Sequence, residues 1–202
     1  MVLCNNVIKG GDITNKTTEP IRNKKTIKAI EIYLKNTNFR NYALFKIQLN
    51  TGLRISDVVK LKYDDFFYEN GKIKKHLQLT EKKTKKNKVI FINNDVKGVL
   101  QALQGRFELK QGDYIFKSRK GVNRPITTTQ AHRIYQTIGK VFNLQNFNSH
   151  SIRKTFCYTI YQKNKDINLI MALMNHSSTA ITLRYIGITN DDIDNIYSSL
   201  DF

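Results

Sequence analysis

Between Asp64 and Asn93 the apolar residues of this chain change their period, and that change limits the folds open to it. On either side the spacing is helical. Ile27, Ile30 and Leu34 recur on one face, and a second helix is expected over 39–50. Beyond the switch, helices are expected over about 95–104, 128–142, 149–163, 166–174, 179–186 and 190–200. Within it, DDFFYENGKIKKHLQLTEKKTKKNKVIFIN carries Asn70-Gly71, a hairpin turn signal, and two β-rich runs, 73–80 and 88–92, around a lysine-packed loop. Three antiparallel strands are expected there, with a short extended piece at 113–116. An island of sheet among helices, with no internal repeat and no low-complexity linker, implies one mainly α domain of the α+β class with a small three-stranded antiparallel sheet. Residues 1–19 are polar and read as a flexible arm ahead of a domain spanning 20–202.

Charge narrows the partners. Thirty-four Lys and Arg face sixteen Asp and Glu, a net +18, which points to a polyanion, nucleic acid first. The excess is uneven: residues 188–202 hold Asp191, Asp192, Asp194 and Asp201 and no basic residue. That last stretch suits contact with protein better than with phosphate. No apolar run is long enough for a membrane span, and the amino terminus lacks the apolar stretch of a signal peptide. Cys4 and Cys157 have no partners at metal-ligand spacing, so a reducing cytoplasm is expected.

The segment NHSSTAITLRYIGIT, 175–189, sets His176 nine residues ahead of Tyr185. In one unbroken helix those side chains would point to opposite faces, since nine residues make about 2.5 turns. Ser177 and Ser178 supply a break, because serine caps helix starts, so a new helix is expected from Thr179 with His176 in the turn before it. In SHSIRKTF, His150 and Arg153 share a helix face; alone, this also fits a solvated face capped at Ser149. Arg54 follows Gly52 in an apolar setting of Leu49, Leu53, Ile55, Val58 and Val59, where burial demands a negative partner, a phosphate or Asp57. The loop EKKTKKNK reads as a solvated lysine run or as a tip that meets DNA phosphates. His132 and His76 have no ligand spacing and receive no role.

Taken together, two arginines, two histidines and a lysine can clamp and protonate a phosphodiester, the arginines on non-bridging oxygens and Tyr185 as nucleophile. No acidic cluster suited to Mg²⁺ lies near these motifs, so no metal and no other cofactor is expected. The ordered set TGLR (51–54), a basic β-hairpin, His-x-x-Arg (150–153) and a histidine nine residues before a tyrosine (176–185) resembles the tyrosine recombinase, or phage integrase, family. The likeness covers the catalytic domain, from about residue 20 onward, and is similar in detail to integrases of mobile elements.

What the resemblance implies is specific. Arg54 and Arg153 match the catalytic arginines, His150 the proton acceptor, His176 the histidine that bonds the scissile phosphate, and Tyr185 the nucleophile. The family's catalytic lysine, eight residues before a position held here by Phe91, selects Lys83, with Lys82, Lys85 and Lys86 as alternatives. Asp57 matches an acidic buttress of the site, and Lys82, Lys85, Lys86 and Lys88 are expected DNA contacts. Asn175 stands where glycine is frequent. Members usually carry a helical core-binding domain ahead of this one; some 20 residues precede it here, which implies a single-domain recombinase or a truncation.

The implied activity is site-specific cleavage and rejoining of double-stranded DNA through a 3′-phosphotyrosyl bond, in integration, excision or inversion. Implied partners are DNA, three further copies of the chain in a synaptic tetramer with 190–202 as a subunit-contact helix, and an accessory DNA-bending protein in some systems. Two alternatives stay open: a type IB topoisomerase-like enzyme, and a non-catalytic DNA-binding regulator that keeps the fold. The implied location is the bacterial cytoplasm, on the nucleoid.

Overall fold

The computed structural model describes residues 18–188 and 197–200. The flexible arm expected over 1–19 therefore lies outside the described residues except for its last two, as does the subunit-contact helix expected over 190–202 except for 197–200. Helices α1 (Lys24–Thr37) and α2 (Phe39–Thr51) are separated by Asn38, whose extended backbone breaks the run while its side chain accepts from Asn41 N. Short turns α3 (Ile55–Val58) and α4 (Tyr63–Phe66) lead into strands β1 (His76–Thr80) and β2 (Asn87–Phe91). Then come α5 (Asn94–Phe107), α6 (Thr128–Val141), α7 (Ser149–Asn164), α8 (Ile167–Met174) and α9 (Thr179–Ile186). No helix among the described residues is long and apolar enough to cross a membrane.

Helix α2 is the centre of the domain. Ala43, Leu44, Phe45 and Ile47 are almost wholly buried, and the helix packs on α1, α5 and α7. Gly52 ends it in the left-handed region at φ 61°, where a Cβ would fall 2.3 Å from the Phe156 ring, so both conformation and space call for glycine. The main apolar core runs from Ile21 to Ile152. A second, small cluster (Cys157, Ile170, Met174 and Ile186) joins α7, α8 and α9.

The sheet has two strands among the described residues, not three. β1 and β2 pair antiparallel from His76↔Phe91 to Thr80↔Asn87. The expected third strand is reduced to a single bridge, Phe67↔Ile73, around the Asn70-Gly71 turn. The reason lies in the preceding helix: α4 takes up the chain as far as Phe66, which leaves Phe67 as the one extended residue opposite Ile73. The extended piece near 113–116 is present as a bridge between Tyr114 and Lys62.

The start of the described chain clasps the far end of the fold. Ile21 N donates to Thr155 Oγ1 at 2.8 Å, Lys154 Nζ donates to Thr18 O, and Arg22 Nη2 donates to Gly187 O at 2.8 Å. Gly187 is the left-handed cap of α9, so Arg22 supplies a cation at that helix's carboxyl end.

Candidate active site

A buried polar bridge sets the frame. Tyr135 Oη of α6 donates to Gln48 Oε1 at 2.6 Å, and Gln48 Nε2 donates to Leu53 O and to Ser149 O. One glutamine thus fixes the turn that carries Arg54 against the first turn of α7, which carries His150 and Arg153. Burial pushes the Tyr135 phenol far above its ordinary range, so it stays a neutral donor. The α7 start is itself capped: Asn148 accepts from His150 N at 2.8 Å.

Arg153 is 1% exposed and ties two regions together. Its Nη1 donates to Gly52 O and its Nη2 to Met174 O at 3.4 Å, while Nε has no partner. Burial, and then the Arg54 charge, lower its pKa. Arg54 does not pair with Asp57, the intramolecular partner that sequence offered. Its Nη1 lies 2.9 Å from Oε1 of Glu81, a carboxylate with no exposed surface. Asp57, also buried, instead accepts from Lys82 N at 3.1 Å and so holds the root of the lysine loop.

The break in the helical run falls where the serines place it. Ser178 caps α9, accepting from Ile181 N, and Asn175 closes α8 in the left-handed region. His176 consequently sits in the turn, its ring 4.6 Å from the Tyr185 ring in an edge arrangement. Its Nδ1 lies 3.0 Å from Thr182 Oγ1, which orients the imidazole. Burial and the charges of Arg153, Arg54 and Lys88 depress its pKa to about 4, so near neutral pH it is uncharged and can donate one hydrogen bond.

The lysines divide into two groups. Lys82, Lys83, Lys85 and Lys86 are exposed around the hairpin loop, where they can meet a polyanion. Lys88 is not with them: its side chain is 10% exposed and its Nζ lies 3.9 Å from Glu81 Oε1. Burial, with Arg153 and Arg54 nearby, lowers its pKa to about 8 against the opposing pull of Glu81. Strand period explains this, because Lys88 pairs with Leu79 and shares the inner face with Leu77 and Ile90. His150 is exposed at the margin, its pKa lowered by burial and then by the charges of His132, Arg153, Lys154 and Lys83.

The fold therefore gathers Arg54, Arg153, His176, Tyr185 and Lys88 around one locus, with His150 and Lys83 at its rim. Arg153 Nε is a buried nitrogen without a partner, and the Arg54 guanidinium and the Lys88 ammonium share the one carboxylate of Glu81, so the cluster keeps an excess of positive charge that suits a tetrahedral oxyanion. No group of three metal-ligating side chains occurs among the described residues. Sequence reasoning passed over Glu81, the single acid of the run 81–88, and placed Lys88 with the solvated lysines although the alternation marks it as inward. It also left His132 without a role; His132 Nδ1 lies 3.4 Å from Ser149 Oγ and its charge acts on His150, a tertiary proximity with no sequence signal.

The sequence profile described as the phage integrase family matches residues 21–191. Among curated proteins, the chain is 39% identical over 173 residues to the probable integrase/recombinase YoeC of Bacillus subtilis (strain 168), covering 86% of this chain and 91% of that one. It is 28% identical to the tyrosine recombinase XerH of Campylobacter jejuni, over 84% of this chain and 48% of that protein. The chain thus spans nearly all of the first relative and about half of the second. Among solved structures, the XerA recombinase superposes with a TM-score of 0.70 at 19% identity, covering 93% of this chain and 66% of that one. XerH bound to a palindromic difH substrate in a post-cleavage complex gives 0.69 at 21% identity, covering 92% and 54%. At these identities the structural likeness concerns the fold.

Proposed function

The chain belongs to the phage integrase family of tyrosine recombinases, and from that premise we propose that it cleaves and rejoins DNA at specific sites through a covalent bond between Tyr185 and a 3′-phosphate. The observation that carries this reading is the apposition of His176 and Tyr185 beside Arg153 and Arg54, whose charges act on His176. Tyr185 Oη attacks phosphorus and the P–O5′ bond breaks; the tyrosine proton passes to His150, and Lys83 gives a proton to the departing 5′-oxygen. Arg54 and Arg153, with Lys88 below them, stabilise charge on the non-bridging oxygens, and His176 donates to one of these as a neutral imidazole. The 5′-hydroxyl of a second strand then reverses the step, and exchange between two duplexes calls for four copies of the chain, with the acidic stretch after residue 188 as a contact between them.

A suicide substrate with a nick beside the candidate scissile phosphate tests the reading, since loss of the short 5′ fragment traps the adduct. The wild type forms a covalent protein–DNA band whose mapped peptide contains Tyr185. Tyr185→Phe binds the same DNA and forms none. An adduct on Tyr158 or Tyr161, or turnover that only relaxes supercoils without sequence preference, would refute the assignment.

A further inference from the structure

The run 81–88 contains five lysines and one acid, and the acid is the residue that the fold buries completely. A solvated basic loop has no use for a buried carboxylate, whose desolvation is costly unless its lone pairs are filled. Those of Glu81 meet partners from three separate parts of the chain. Oε1 faces Arg54 Nη1 at 2.9 Å and Lys88 Nζ at 3.9 Å. Oε2 accepts from Thr84 Oγ1 at 2.7 Å and lies 3.5 Å from Asn175 Nδ2, the residue before His176. Its backbone closes the loop as well, with Glu81 N donating to Lys86 O and Lys85 N to Glu81 O. Burial alone would raise the carboxyl, but the Thr84 hydroxyl and the Arg54 and Lys88 charges hold it below its ordinary range.

We propose that Glu81 is a positioning residue for the proton-delivery step: it anchors the lysine loop to Arg54, so that the loop presents its ammonium at the 5′-oxygen of the phosphate that Arg54 holds. The geometry favours this over simple charge balance. A counter-ion for Arg54 and Lys88 requires only Oε1, whereas Oε2 is directed to Thr84, the immediate neighbour of Lys83. Asp57 pins the loop one residue further along through Lys82 N, so two carboxylates fix its root and its flank, and Lys83 lies between the two points of attachment. This inference rests on the function proposed above, and its test separates the two.

The test compares ordinary DNA with a substrate whose bridging 5′-oxygen is sulfur, from which a thiolate departs without a proton. Single-turnover adduct formation is measured for the full chain carrying Glu81→Gln and, separately, Thr84→Val. Thr84→Val removes only the half-buried hydroxyl that Glu81 uses to hold the loop, and it stays informative if the glutamine variant folds poorly. On ordinary DNA, Glu81→Gln is expected to slow cleavage about tenfold to hundredfold, the scale of a displaced catalytic group, and Thr84→Val by a smaller factor. Glu81→Asp should recover part of the loss. On the sulfur substrate both variants should return to within a few fold of the wild type, with DNA Kd unchanged throughout. A slow Glu81→Gln that the sulfur substrate does not rescue would assign the carboxylate to Arg54 or to the fold and overturn the proposal; so would wild-type rates on ordinary DNA. If the wild type forms no Tyr185 adduct on either substrate, the proposed function fails first.

Discussion

The two apolar clusters differ in size, and each carries a different part of the site. The larger, built on α1, α2, α5 and α6, holds the turn that bears Arg54 and the start of α7. The smaller holds α8 and α9, and with them His176 and Tyr185, on four fully buried side chains. Local opening free energy scales with buried apolar contact, so the proposed phosphate clamp stands on the stable part and the proposed nucleophile on the part that opens more readily. Arg153 is the joint, bonded to Gly52 O on one side and Met174 O on the other.

The largest expected effect comes from cutting the joint. Arg153→Ala should reduce adduct formation by at least 10³-fold, since a donor to the reacting phosphate is worth 10²–10³ and the nucleophile's support is lost with it. Hydrogen exchange in α8 and α9 should accelerate more than in α2. Equal acceleration in both would mean that the clusters are one unit and that the contrast is void.

Next are paired truncations. Phe45→Ala in the main core should cost about 3–5 kcal/mol and lower the global urea midpoint. Met174→Ala removes a buried side chain from the small cluster at a local cost of about 2–5 kcal/mol, but should move that global midpoint much less while suppressing adduct formation. A Met174→Ala protein with the same loss of global stability as Phe45→Ala would break the comparison.

Smaller, and specific to the place where the clusters meet, is a pH effect. The folded His176 pKa of about 4 lies below its ordinary value, so between 6.5 and 4 the unfolded chain binds the proton more readily and stability falls as pH falls. His176→Asn should flatten that acid limb in Tm against pH. Lys88 acts at the other end: with a folded value near 8, its unfavourable burial as a cation is relieved as pH rises from about 8 to 10.5, so stability gains over that window and Lys88→Met should remove the gain.

The smallest effect is expected at Asn175, which sits at φ 54°. Asn175→Gly relieves left-handed strain but loses the 3.5 Å contact to Glu81, and the two should cancel to within about 0.5 kcal/mol in denaturant titrations.

Much of this arrangement is legible from local rules. Ser178 announces the start of α9, Gly52 and Gly187 the ends of α2 and α9, and the lysine-filled gap the β1–β2 turn, because caps and turns are decided within a few residues. The order of the motifs also disclosed the locus that joins Arg54, Arg153, His176 and Tyr185. The third strand was misjudged because turn chemistry at Asn70-Gly71 is local, while strand length depends on what α4 has already taken. Lys88 was readable from strand alternation and was obscured by its lysine neighbours. Glu81 was not readable in that way, since its four partners lie 27 residues upstream and three, seven and 94 downstream, and only the tertiary fold brings Arg54 and Asn175 to one carboxylate.

The clasp at Gly187 turns the amino-terminal side of the domain into a lever. Residues 18–22 are fastened to α7 through Thr155 and Lys154 and, through Arg22, to the carbonyl of Gly187, the cap of α9 two residues beyond Tyr185. Force applied ahead of Thr18 is therefore shared between the main core, which Ile21 enters, and the cap of α9, about half a helical turn from the proposed nucleophile. A handle fused at that side is part of the trigger linkage, and a tether for single-molecule work belongs instead at an exposed position such as Val122, on the loop between α5 and α6.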